Sequence, residues 1–469
     1  MNNMDKSYDA VTGRKVEIVN KAMGIDYSRF ESGSIAFDYE ALMNSTGYTL
    51  EDHIRIQREY NVGNTPIFEL HNLTALARKY AKPGKGARIF MKDEAANPAG
   101  SFKERRAATS VYHAKKMGYK GVIAATSGNY GAAVASQAAM QGLKCIIVQE
   151  CYDSKQSGQP EIIEKARKCE ALGAEVLQLT VGPELFYKVL MLLEETGYFN
   201  ASLYSPFGVG GVETLGWELG HQFKEQERYG RNPDVVVCAN AGGGNLTGTV
   251  RGLRKAGCNA QVVAASVDLK GLSMASDAQF NRKSFTTAHT GFGMPYAIDP
   301  DHSDVPRSAA RPIRYMDRYV TVKQGEVFYI TEALATLEGI EKGPAGNTSL
   351  AATFALAQEL DEDQIIVAQE TEYTGAGKHI QPQLAFARQN GIELLFGDPE
   401  TEIPGTNIVF PADPSLLKAR DVDIDHMRTS LIRRQVSRAK GPLTEADIAY
   451  LMEETNSSRA FVENVLKNL

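Results

Sequence analysis

The chain has 469 residues, 43% of them hydrophobic, and a net charge of −6 with acids and bases interspersed. That length supports a large core and two or three domains, and the charge balance offers no basic face for a nucleic-acid backbone. No apolar run approaches the roughly 20 residues needed to cross a bilayer, and the polar, charge-mixed start from Met1 to Lys21 is unlike a leader, so a cytoplasmic address is expected.

Residues 1–60 show no α/β alternation and read as an N-terminal extension. Asn97-Pro98-Ala99-Gly100-Ser101-Phe102-Lys103 then places a lysine at the mouth of a helix predicted over 103–117. From there to about residue 400, short β-branched runs alternate with helical periodicities, the pattern of parallel α/β units. Strands are predicted at 121–125, 145–148, 175–179, 234–238, 262–265 and 365–368. Helices are predicted at 129–141, 161–172, 184–195, 245–255, 326–337 and 347–360. The strands are almost continuously apolar, which implies helices on both faces of the sheet. Ligands bind such sheets beyond the carboxyl ends of their strands.

Three strand-to-helix turns stand out. In the first, Thr126-Ser127-Gly128-Asn129-Tyr130-Gly131, hydroxyls, an amide and N–H groups at a helix start suit a carboxylate. An ordinary N-cap is the alternative. In the second, Ala241-Gly242-Gly243-Gly244-Asn245, consecutive glycines let N–H groups converge on an anion beside a helix dipole. Asp268 follows the next strand as a dinucleotide site would require, but the glycines fit G-x-G-x-x-G poorly, so a monophosphate is favoured over a pyrophosphate. The third is Thr374-Gly375-Ala376-Gly377. Trp217, with Glu213 and Glu218 on one helix, reads as a packing anchor, and His379 as a bystander to the third turn. Residues 270–311, rich in Ser, Thr, Asp and Pro, read as a long loop, either a lid or inert surface.

The stretch 405–469 leaves the alternation and reads as a linker and small helical appendage. Thr444-Glu445-Ala446-Asp447 resembles a capping box, and Ser457 or Ser458 caps a second helix ending near Leu466. Cys145, Cys151, Cys169, Cys238 and Cys258 form no CxxC pair, and neither they nor the eight histidines show metal-ligand spacing. Reduced core thiols and no metal are expected.

The lysine motif, the serine-asparagine turn, the glycine loop and the third turn, in this order over roughly 60–395, resemble the fold-type II pyridoxal-phosphate enzymes. Threonine synthase, cysteine synthase and the diaminopropionate lyases belong to that group. The resemblance implies an α/β fold with two open, twisted, mostly parallel sheets flanked by helices. It also implies a larger cofactor-binding domain (61–105 and 206–400) and a smaller domain for the substrate carboxylate (106–205). The implied cofactor is pyridoxal 5'-phosphate, with Lys103 as the catalytic lysine that carries it and Asn129 facing its phenolic oxygen. Gly242, Gly243, Gly244 and Asn245 would bind the phosphate, and Thr126, Ser127, Gly128 and Tyr130 the substrate carboxylate. Either Thr374 or Thr371 would face the pyridine nitrogen. A hydroxyl there leaves that nitrogen largely unprotonated, which favours chemistry at Cβ or Cγ.

Departures from the family pattern are Ala241 in place of a glycine, Ala376 and Lys378 in the third motif, and the loosely matching segment Glu341-Lys342-Gly343-Pro344-Ala345. With extension and tail included, the chain is most similar to a thiolytic branch of the family. That implies cleavage of a 2-amino-4-oxo acid by coenzyme A in ornithine degradation, giving acetyl-CoA and alanine. It also implies a homodimerising core and a small second (alpha) subunit. The runner-up is a threonine synthase-like or diaminopropionate ammonia-lyase-like enzyme working by β-elimination or replacement. A catalytically silent binding module built on the tail helices is a third reading.

Overall fold

In the computed structural model, the described residues are 5–126, 128–153, 156–225, 229–269, 284–286, 294–373 and 380–469. A seven-stranded sheet runs in the order Arg420–Asp421, Arg318–Val322, Gln261–Val267, Val235–Ala239, Ile365–Glu370, Arg88–Asp93, Ile67–Glu69. Its five inner strands are parallel and both edge strands antiparallel. The inner strands are buried throughout or nearly so, and their residues alternate between two cores. Val236, Cys238, Val262 and Ala264 face one core, and Val235, Val237, Val263 and Ala265 the other. A second, four-stranded parallel sheet has the order Glu175–Thr180, Lys144–Tyr152, Gly121–Thr126, Phe199–Asn200. Two open, mostly parallel sheets flanked by helices are therefore the architecture, as the sequence implied.

All six predicted strands and all seven predicted helices occur, with ends shifted by four residues or fewer. The inner strand Arg88–Asp93 is not anticipated, because Arg88, Lys92 and Asp93 interrupt its apolar run. Lys92 is buried there by pairing with Glu218 at 2.5 Å. Glu218 comes from the 20-residue helix Pro206–Glu225, which lies against helix Gly244–Lys255 at a glycine contact. A Cβ on Gly216 would stand 1.9 Å from the Thr249 carbonyl, and one on Gly252 at 1.9 Å from that of Glu213. This close crossing sets the position of the helix behind the glycine loop.

The extension and the tail meet. Thr444 caps helix Glu445–Thr455 in a capping box with Asp447, as predicted. The same Asp447 carboxylate also accepts hydrogen bonds from the backbone N–H groups of Ser34, Ile35 and Ala36 at 2.7–3.1 Å. Ser458 caps the last helix, Arg459–Lys467. An unanticipated helix, Ile424–Val436, precedes them, capped by Asp423.

The reading of 270–311 as a lid or inert surface is corrected over its described C-terminal part. Asp301, Ser303, Asp304, Val305 and Arg311 are buried. Arg311 pairs with Asp301 at 2.8 Å and with Glu454 of the tail at 3.0 Å. Polar composition here reflects paired interior charge rather than hydration. Among the described residues no helix is long and apolar enough to cross a membrane.

Candidate active site

One pocket gathers most of the residues singled out from the sequence. Lys103, Thr126, Gly128, Asn129, Tyr130, Gly242, Gly243, Gly244, Asn245 and Thr371 all line it. They come from the ends of strands in both sheets and the helix starts that follow, where parallel sheets bind ligands. Ser127, Thr374 and His379 lie outside the described residues. Arg106, Asn240, Thr348 and Glu372 also line the pocket and were not anticipated.

Lys103 opens helix Lys103–Lys116 and sits over the Phe102 ring, with Nζ 4.8 Å from its centroid. Nζ donates to Glu372 Oε2 at 2.9 Å. Burial lowers the lysine's pKa, and the Glu372 carboxylate offsets this only in part, which favours a neutral, nucleophilic amine. The other oxygen of Glu372 faces a second, fully buried lysine, Lys165, at 3.5 Å. Lys165 also donates to Glu161 at 2.6 Å. Burial opposes its charge as well, but two carboxylates outweigh burial and hold its pKa above the usual value. The two lysines therefore differ in direction: Lys103 gives up its proton more readily than an ordinary lysine, and Lys165 less readily. The i,i+4 spacing of Glu161 and Lys165 hints at their pairing. The contact of Lys165 with Glu372, more than 200 residues away, leaves no trace in the sequence.

Within the first turn the side chains are largely committed to holding the backbone. Thr126 Oγ1 accepts from the N–H groups of Gly128 (2.9 Å) and Gly131 (3.1 Å). The Tyr130 hydroxyl donates to the Ala201 carbonyl at 2.8 Å. Asn129 differs, because its side-chain Nδ2 is buried and has no partner among the described residues. An amide donor left so inside a protein is costly unless a ligand completes it.

In the glycine loop, Gly243 has φ +81°, and a Cβ there would stand 2.6 Å from the Pro312 ring. Only glycine fits that backbone. Helix Gly244–Lys255 starts within the loop, and the Thr247 N–H closes the first turn on the Gly243 carbonyl at 3.0 Å. The N–H groups before it have no intrahelical acceptor and are available to an anion. Asn245 braces this helix start by donating to Gln369 at 2.7 Å. Asn240, just before the loop, is buried, and among the described residues neither of its side-chain polar atoms is partnered, nor is the buried Thr348 hydroxyl. Position next to the loop was the one sequence signal for Asn240; Thr348 had none.

Among the described residues no cluster of His, Cys, Asp and Glu is placed to hold a metal. The five cysteines are buried free thiols.

Residues 58–371 match the family profile described as pyridoxal-phosphate dependent enzyme. The chain is 70% identical over 466 residues to the 2-amino-4-ketopentanoate thiolase beta subunit of Acetoanaerobium sticklandii, covering 99% of each. It is 62% identical over 467 residues to a second protein of that name from an unknown prokaryotic organism, covering 99% of this chain and 98% of that one. A threonine synthase of Halalkalibacterium halodurans is 28% identical over 197 residues, 41% of this chain and 49% of that one. In fold, the chain resembles the crystal structure of a T.th. threonine deaminase, with a TM-score of 0.52, 24% identity, and coverage of 69% of this chain and 96% of that one.

Proposed function

Because the chain belongs to the family of pyridoxal-phosphate dependent enzymes, we propose that it cleaves 2-amino-4-ketopentanoate with coenzyme A to acetyl-CoA and alanine. The full-length identity to two thiolase beta subunits favours this over β-elimination or replacement. The structural observation that carries the cofactor part is a pocket that these residues share. It brings a lysine of lowered pKa, an unpartnered amide and a glycine-lined helix start to one place.

These residues fit pyridoxal phosphate. Lys103 would attach it covalently, Asn129 would donate to its phenolic oxygen, Gly242, Gly243, Gly244 and Asn245 would receive its phosphate, and Thr371 or Thr374 would serve its ring nitrogen. When bound, the cofactor supplies an electron sink for charge developing beside the amino group. Lys103 would then move the proton at Cα, and Glu372 keeps its Nζ at the pocket. Thr126 braces the turn so that N–H groups at the start of helix Asn129–Gln141 face the substrate carboxylate, with Ser127, Gly128 and Tyr130 completing that loop. In net terms, the bond between C3 and C4 of the substrate breaks and the acetyl carbon bonds to sulfur. The thiol proton ends on carbon in alanine.

We assign the four-stranded sheet and its helices (106–205) to carboxylate recognition and the remainder of the core (61–105, 206–400) to the cofactor. We further propose that the enzyme works in the cytoplasm with a small alpha subunit; the relatives' designation as beta subunits supports a second subunit. The test is a substrate trial on the purified protein, with and without that subunit. It uses 2-amino-4-ketopentanoate plus coenzyme A, O-phosphohomoserine and diaminopropionate. Acetyl-CoA and alanine in equal amounts support the reading; ammonia release without coenzyme A overturns it.

A further inference from the structure

Arg106 lies one helical turn beyond Lys103, on the same face of helix Lys103–Lys116. It is 4% exposed and lines the pocket. Its guanidinium lies 5.1 Å from the Phe102 ring centroid, and Nη1 donates to the Leu203 carbonyl at 3.2 Å. Among the described residues the buried Nε has no partner, and no carboxylate forms an ion pair with this side chain. Burial pushes its pKa down to about 10, still well above neutrality, so the charge persists. A buried cation without an anion is a standing cost to the fold. The neighbouring lysines carry no such deficit, since Glu372 and Glu161 neutralise them.

The direction of the deficit is given by Gly244. A Cβ on that residue would stand 2.6 Å from Arg106 Nη2, so the guanidinium abuts the start of helix Gly244–Lys255. Backbone N–H groups and a helix dipole equivalent to about half a charge already favour an anion there. A phosphate monoester carries roughly 1.5 to 2 negative charges near neutrality, more than the dipole offsets.

We propose that Arg106 is the charged ligand of the cofactor phosphate, reaching from the lysine helix to the glycine loop and setting the chain's preference for phosphorylated over unphosphorylated pyridoxal. This rests on the cofactor reading above. It adds a recognition residue that the glycine loop alone does not supply, and charge-assisted bonds to a phosphate are the stronger kind.

The test uses full-length protein stripped of cofactor with hydroxylamine, then titrated with pyridoxal phosphate and with pyridoxal while the imine absorbance is followed. Arg106→Gln should weaken pyridoxal phosphate binding by about 10- to 100-fold and pyridoxal binding by no more than about 2-fold. The stripped variant should melt no lower than the stripped wild type, because an unpaired charge has been removed. Arg106→Lys, which keeps a charge on a shorter arm, should lose less affinity for the phosphate form and leave pyridoxal unchanged. This second variant decides the matter if the glutamine variant does not fold. Equal weakening of both aldehydes, unchanged affinity for the phosphate form, or a raised substrate KM at an unchanged aldehyde ratio each overturns the proposal. A wild-type protein without imine absorbance would overturn the cofactor reading as well, whereas a normal wild-type band with an unchanged ratio in the variants removes only the role of Arg106.

Discussion

Arg105 and Arg106 are consecutive, both buried, and opposite in circumstance. Arg105 donates Nε and Nη2 to the two oxygens of Glu94 at 2.7 and 2.8 Å, and Nη1 to Glu218 and Thr214. Glu218 also receives Lys92. Two carboxylates and two cations thus close on one another, joining the strand Arg88–Asp93, the lysine helix and the helix Pro206–Glu225. Arg106, one position on and turned toward the cavity, has one carbonyl and, among the described residues, no acid. The contrast separates two uses of buried charge: a closed network fixes how elements cross, and an open one leaves a charge for a ligand to complete.

The two environments can be perturbed separately. On the open side, Lys103→Ala should abolish both imine absorbance and turnover while the protein stays folded; full activity in that variant would end the cofactor reading. On the closed side, Glu94→Gln strips the Arg105 fork of a charged partner and should cost about 3–5 kcal/mol of stability, read as a lowered denaturant midpoint. An unchanged midpoint would mean the network is not structural.

Acid should attack the closed networks first. Glu218 is held well below the usual carboxylate range by Arg105 and Lys92, against the opposing effect of burial. Asp447 is likewise depressed, through the N–H groups of Thr444, Ile35 and Ser34, which outweigh its burial. A depressed folded pKa contributes stability that is present above the unfolded value, near 4, and lost as pH falls through the folded one. Denaturant midpoints measured from about pH 6 down to about pH 2 should therefore fall, and Asp447→Asn should flatten part of that slope by loosening the joint between extension and tail. A variant with the same slope as wild type would count against this. The smallest effect belongs to the exposed pair of Arg459 with Glu445, where Arg459→Ala should change stability by no more than about 0.5 kcal/mol.

Much of this was legible in the sequence, and several of the gaps have a common cause. The strands Gly121–Thr126, Val235–Ala239 and Gln261–Val267 announce themselves because a parallel strand covered on both faces needs unbroken apolar side chains. The helix starts at Asn129 and Gly244 are legible because turns of this kind need glycine and short polar residues. Arg88–Asp93 and the segment around Asp301 and Arg311 were not, because their charges look solvated until distant partners are known. Glu372, Lys165 and Arg106 escaped for the same reason. Their chemistry arises from burial and from contacts between separated elements, which no local pattern encodes. Thr126 shows the converse, a residue picked out as a ligand whose hydroxyl is bonded within its own turn.

Two lysines, the partly exposed Lys103 and the buried Lys165, share the Glu372 carboxylate, and the proposed chemistry requires that Lys103, not Lys165, carry the cofactor. Reduction of the purified protein with borohydride followed by peptide mass mapping decides between them. The expected result is one phosphopyridoxyl group on the peptide containing Lys103, in keeping with its lowered pKa beside the raised one of Lys165. A label on Lys165, or no label in protein that shows the imine absorbance, would rule Lys103 out as the carrier.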